Sequence, residues 1–89
     1  MLVKMSTHEG KPGQTVHVEV VTESAAEVAR VQASVDAGLS FTLNKTGSAW
    51  TADTPIPYEA YAGTYRITFR AYDSKWTALE TSEQTFKVI

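Results

Sequence analysis

The chain has no cysteine. Disulfide frameworks, thiolate zinc sites and cysteine nucleophiles are therefore excluded, and stability has to come from packing and hydrogen bonds alone. Charge of one sign is also scarce. The 8 basic and 10 acidic side chains leave a net charge of −2, which gives no overall attraction to a nucleic-acid backbone. No apolar run approaches the ~20 residues of a membrane-spanning helix. The 2 histidines, His8 and His17, have no further histidine at ligand spacing and read as solvated surface side chains. There is no Gly-rich phosphate loop and no Gly-x-Ser-x-Gly elbow. Serines are plentiful, but none is matched to a base and an orienting acid by a recognisable pattern. A non-catalytic protein without a cofactor is the expectation.

What remains suits one small globular domain. The chain has 89 residues, of which 43% are apolar, enough for a compact core and too many for a disordered segment. A core at this length leaves little room for a cofactor-sized cavity beside it. Met1-Leu2-Val3-Lys4-Met5 is too short for a signal peptide. A chain of this size that opens almost directly in a strand-like run reads as one domain, residues 1–89, cut from a larger multidomain protein.

The dominant period is two, the period of a strand with one buried face. Val16, Val18 and Val20 alternate with His17 and Glu19; Ala29, Val31, Ala33 and Val35 with Arg30, Gln32 and Ser34. Leu39, Phe41 and Leu43 alternate with Ser40 and Thr42; Tyr65, Ile67, Phe69 and Ala71 with Arg66, Thr68 and Arg70; Phe86 and Val88 with Thr85 and Lys87. Turn residues fall between these runs: Gly10-Lys11-Pro12-Gly13, Ala37-Gly38, Lys45-Thr46-Gly47-Ser48, Thr54-Pro55-Ile56-Pro57, Ala62-Gly63 and Asp73-Ser74-Lys75. Seven strands are expected, near Leu2–Ser6, Thr15–Thr22, Val28–Asp36, Leu39–Asn44, Ala49–Asp53, Thr64–Asp73 and Glu83–Ile89. A competing pattern covers the third of them. Ser24-Ala25-Ala26-Glu27 is a fair capping box, and Val28, Val31 and Val35 have helical spacing, which suggests a helix from Ala25 to Ala37. Unbroken alternation, β-branched composition and neighbours that need strand partners favour the strand. The expected core is Val16, Val18, Val20, Val31, Val35, Leu43, Trp50, Tyr65, Ile67, Phe69, Phe86 and Val88.

The run Tyr61-Ala62-Gly63-Thr64-Tyr65-Arg66-Ile67 resembles the start of strand F of immunoglobulin-fold domains, where a tyrosine hydroxyl ties down the preceding corner. Ile67 stands where an antibody-type domain has its second cysteine, so packing replaces the disulfide. Pro12-Gly13, Leu43 to Trp50, Ile56-Pro57, Ala62-Gly63-Thr64-Tyr65 and Ala71-Tyr72-Asp73, in that order, make nearly the whole chain similar to the Ig-like modules of bacterial and archaeal surface and secreted proteins. Ser74-Lys75-Trp76 departs from the Gly-Asn turn usual after the aspartate. The resemblance implies an all-β, seven-stranded antiparallel immunoglobulin-like sandwich. It also implies a spacer, adhesion or accessory role, extracellular or at the cell surface, as a monomer beside neighbouring domains of its parent chain.

Several side chains are candidates for binding. Trp76 lies in a loop with no obvious burial. It either plugs the end of the sandwich or stays exposed with Tyr72, where the pair would stack on a polysaccharide or anchor a protein ligand. In the sandwich that the resemblance implies, Arg30, Arg66, Arg70 and Lys87 share an outward face, which suits an acidic polymer, a partner domain or the simple guarding of a sheet edge. Glu23, Glu27, Asp73 and Glu80 would fall toward one end and Glu9, Asp36, Asp53 and Glu59 toward the other, without the dense spacing of a calcium loop. Asn44-Lys45-Thr46 is a glycosylation sequon, relevant only in a glycosylating host.

Overall fold

The computed structural model describes residues 1–23, 28–36 and 38–89. Its strands are β1 (Leu2–Met5), β2 (Glu9–Gly10), β3 (Thr15–Val21), β4 (Arg30–Val35), β5 (Ser40–Thr46), β6 (Ala49–Pro55), β7 (Gly63–Tyr72) and β8 (Ala78–Val88). They form one curled sheet in the order β1-β3-β6-β5-β4-β7-β8-β2. The protein is all-β; among the described residues there is no helix, hence none long and apolar enough to cross a membrane.

The curl is made along β5. Its first half, Ser40–Leu43, pairs with β4. Its second half, Asn44–Thr46, pairs with β6. The β5–β6 turn is Gly47-Ser48, and Gly47 has φ 63° while Ser48 does not share the positive φ. A positive φ at the first central residue alone suits a type II′ hairpin, whose twist matches that of the flanking strands.

Two expectations are corrected here. Among the described residues there are eight strands rather than seven, and the set is mixed, because β2 runs parallel to β8 through Glu9↔Lys87 and Gly10↔Val88. The last strand also begins at Ala78 rather than Glu83. Arg30–Val35 is a strand, so the helical pattern of its valines is not used. The capping box at Ser24–Glu27, and Ala37, lie outside the described residues.

The inward residues of all the longer strands form one core: Val16, Val18, Val20, Val31, Ala33, Leu43, Trp50, Ile67, Phe69, Ala71, Phe86 and Val88, with Val28 and Ile56. Val35 and Tyr65, expected inside, are only half-buried against this cluster. Ile56, expected in a turn, is buried because the Gly10–Gly13 segment docks on it. Gly13 N–H donates to the Ile56 carbonyl at 2.7 Å and Ile56 N–H to the Gln14 carbonyl at 2.8 Å. Gly10 permits this approach, since a Cβ there would lie 2.8 Å from Ile56 Cδ1 and 2.9 Å from Gln14 Oε1.

The Tyr65 hydroxyl donates to the Tyr61 carbonyl at 2.7 Å, so the corner expected before β7 is present. Tyr65→Phe removes that bond and little else. It should lower stability by about 1 kcal/mol, read from the urea midpoint, and an unchanged midpoint would mean the hydroxyl does not hold the corner.

The expectation of no sizeable cavity is also corrected. Beneath the 54–61 crossover, between β3, the end of β4, the start of β7 and the end of β8, lies an apolar cleft of about 460 Å³. A dry, sealed void of that volume would cost roughly 10 kcal/mol at ~24 cal/mol per Å³, comparable with the whole stability of a small domain. The cleft is instead open at its mouth.

Candidate functional site

The β7–β8 hairpin carries the candidate site. Its loop is tied by Asp73. The Asp73 carboxylate accepts from the N–H groups of Lys75 and Thr77, each at 2.9 Å. Asp73 N–H donates to the Thr77 carbonyl at 3.1 Å, and Trp76 N–H to the Asp73 carbonyl at 3.2 Å. A short polar side chain that mimics a backbone turn is what Asp does well at such a position. Beyond the loop the β7–β8 register shifts: Ala71 pairs with Glu80 but Tyr72 with Ala78, leaving Leu79 as the extra residue. Bulges of this kind re-aim the side chains next to them.

Trp76 is the one non-glycine among the described residues with positive φ, at 63°. A bulky side chain in left-handed backbone costs about 1–2 kcal/mol, and the loop would be better served by glycine or asparagine there. The indole is 55% exposed and stands outside the core cluster, so it is not a plug. Its neighbours are Tyr72, with ring centroids 5.5 Å apart and planes tilted by 56°, and Arg30, whose guanidinium carbon lies 4.1 Å from the indole centroid. Arg30 is held from behind as well, Nη1 donating to the Asp73 carbonyl at 3.2 Å. The register Arg30↔Tyr72 brings β4 into this group. The result is an aromatic and cationic platform, with the arginine fixed by a carbonyl and a ring face.

The remaining basic residues are divided by the register. Arg70 is half-buried, lies on the same outer face beside the platform and pairs with Gln32 and Thr81. Arg66 is about 20 Å from Tyr72 along β7, at ~3.3 Å per residue, and its Nε meets Glu83 Oε1 at 2.9 Å. Lys87, opposite Thr64, lies farther along that face and flanks β2. Arg30 and Arg70 can thus act together with Trp76. Arg66 and Lys87 belong to the opposite end.

Elsewhere several polar groups have local partners. His17 Nδ1 lies 2.7 Å from Asp53 Oδ1 across β3–β6, and His8 Nδ1 lies 3.3 Å from the Thr85 carbonyl. Glu80 turns inward and meets the ammonium group of Met1 at 3.1 Å, tying β1 to β8. Among the described residues no group of three His, Asp or Glu side chains comes together to hold a metal ion. The pairing of Arg30 with Trp76 is the feature the sequence reading missed. Its only signal was that both flank the strands expected to neighbour each other.

Comparison with known protein families, with characterised proteins and with solved structures returned no match.

Proposed function

We propose that the chain is a non-catalytic interaction module of the immunoglobulin-like type. It spaces or presents neighbouring domains of a surface-exposed or secreted microbial protein and makes its specific contact through the Trp76 end. The sandwich reading is supported by the grouping of β1, β3 and β6 apart from β4, β7 and β8, and by the tyrosine corner at Tyr65. The contact reading rests on one observation: a large, exposed indole held in a backbone conformation that disfavours it. Strain of this sort is retained where the side chain has work to do outside the fold. Exposed Trp beside Tyr and Arg is also the composition that dominates binding energy at protein contacts.

A second reading uses the same residues. Trp76 and Tyr72 would stack on a sugar ring, with Arg30 and Arg70 beside them favouring an acidic polysaccharide. Trp76→Gly tests both. The variant relieves the positive φ and loses the contact with Arg30, so its stability should stay within about 1 kcal/mol of the parent. In affinity electrophoresis through gels of neutral and acidic polysaccharides, retention of the parent that Trp76→Gly abolishes supports the sugar reading. Retention on none of them removes it and leaves the domain-presenting role. Retention unchanged by Trp76→Gly takes the contact away from this end, and release of cleaved sugar would overturn the non-catalytic assignment.

A further inference from the structure

We infer that the cleft under the 54–61 crossover binds one single-chain amphiphile, its apolar tail inside and an uncharged or cationic head at the mouth. The cleft lies at the opposite end of β7 from the Trp76 platform. Tyr65 and Ile67 line it, whereas Tyr72 leads into the Trp76 loop. It therefore stands apart from the proposed contact surface.

The floor is the edge of the core, Val16 from β3, Ile67 from β7, and Phe86 and Val88 from β8, and half-buried Met5, Val35 and Tyr65 form the walls. Phe41 and Leu39 continue the apolar lining toward the mouth. A concave pocket of about 460 Å³ falls within the ~300–1,000 Å³ of small-molecule sites and does not suit a flat protein face. It equals the volume of about 15 waters at ~30 Å³ each, which is close to that of an alkyl chain of about a dozen carbons with a small head. The walls offer such a chain almost no hydrogen bonds. The Tyr65 hydroxyl is already committed to the Tyr61 carbonyl, and the hydroxyls that remain are those of Ser40, Thr54 and, on the exposed side, Tyr61.

The charge of the lining selects the head group. No Lys, Arg or His is among the lining residues, and the one ionisable carboxylate is that of exposed Glu59. A carboxylate or phosphate head would meet no counter-charge and would face Glu59. An alcohol is tolerated there, and an ammonium head is attracted.

The test uses the 89-residue chain and the neutral fluorophore N-phenyl-1-naphthylamine, which brightens on leaving water. Saturable enhancement at one probe per chain is expected. Displacement is then measured at pH 8 and low salt, below micelle formation. Dodecanol and dodecylamine should compete, with dodecanoate about five- to ten-fold weaker than the amine, as one exposed charge of opposite effect on the two heads allows. Glu59→Gln should shrink that difference and leave probe binding intact. Ala60→Phe and, independently, Ser40→Phe place a ring in the cleft and should each weaken the probe at least ten-fold; far-UV circular dichroism checks that both fold. Absence of saturable enhancement, or enhancement untouched by both folded variants, would overturn the proposal. Dodecanoate binding as well as dodecylamine would overturn the head-group assignment. A dimer in sedimentation that excludes the probe and dissociates in the Phe variants would assign the cleft to a second copy of the chain instead.

Discussion

Phe69→Ala will remove about 3–5 kcal/mol of stability. Phe69 is 0% exposed and sits mid-way along β7, with β4 on one side through Ala33 and β8 on the other through Ser82. Its ring meets Phe41 edge-to-face, centroids 6.3 Å apart and planes at 82°. Both cross-strand neighbours are small, so neither can move into the space a missing ring leaves. The cost should therefore fall where relaxation is poor. A domain of this length has roughly 4–13 kcal/mol at ~0.05–0.15 kcal/mol per residue, so the loss is about a quarter of the total or more. With no cysteine, no covalent link limits the damage. Phe69→Leu keeps most of the volume and should cost under about 1.5 kcal/mol. Urea unfolding followed by circular dichroism gives both values. A loss below 1 kcal/mol for the alanine variant would mean that Phe69 is not packed as described.

The same residue marks what was legible in the sequence. Tyr65-Ile67-Phe69-Ala71 and Val16-Val18-Val20 alternate strictly, and period-two burial of one face is a local property. β4 was harder, because Val28, Val31 and Val35 fit a helix as well. β-branching and the need for partners decided it. The features missed are those set by distant parts of the chain. β2 is two residues, Glu9 and Gly10, with no apolar alternation, and it exists because Gly10 fits against Ile56 and Phe86 while His8 and Gly10 accept bonds from Lys87 and Ile89. The first half of β8 places Glu80, Ser82 and Gln84 opposite inward-facing Ala71, Phe69 and Ile67. A search for apolar residues passes over it; β7 makes it a strand.

The candidate site divides in the same way. Composition identified Trp76, Tyr72 and the arginines, but not which of them meet. The meeting of Arg30 with Trp76 needs the Arg30↔Tyr72 register and the left-handed turn at Trp76. Neither is encoded within a few residues of Arg30. The cleft was illegible for a related reason, since its walls come from β3, β4, β7, β8 and the 54–61 segment together.

Trp50→Ala is expected to cost about as much as Phe69→Ala, ~3–5 kcal/mol, for a different mechanical reason. Trp50 is 8% exposed on β6, where it pairs with Val20 of β3 and Lys45 of β5. It lies beside the half of β5 that has left β4 for β6, and its side chain belongs to the one core that the curled sheet encloses. Truncation there removes a large ring from that core next to the point where the sheet bends. Trp50→Phe, which keeps a ring, should cost about 1–2 kcal/mol. That milder variant also isolates the other indole. With Trp50 replaced by Phe, the remaining emission comes from Trp76 and should be red-shifted and freely quenched by iodide. With Trp76 replaced by Phe, it comes from Trp50 and should be blue-shifted and resist iodide. Equal quenching in the two variants would contradict the burial of Trp50 and the exposure of Trp76 together, and with them both the bend and the platform.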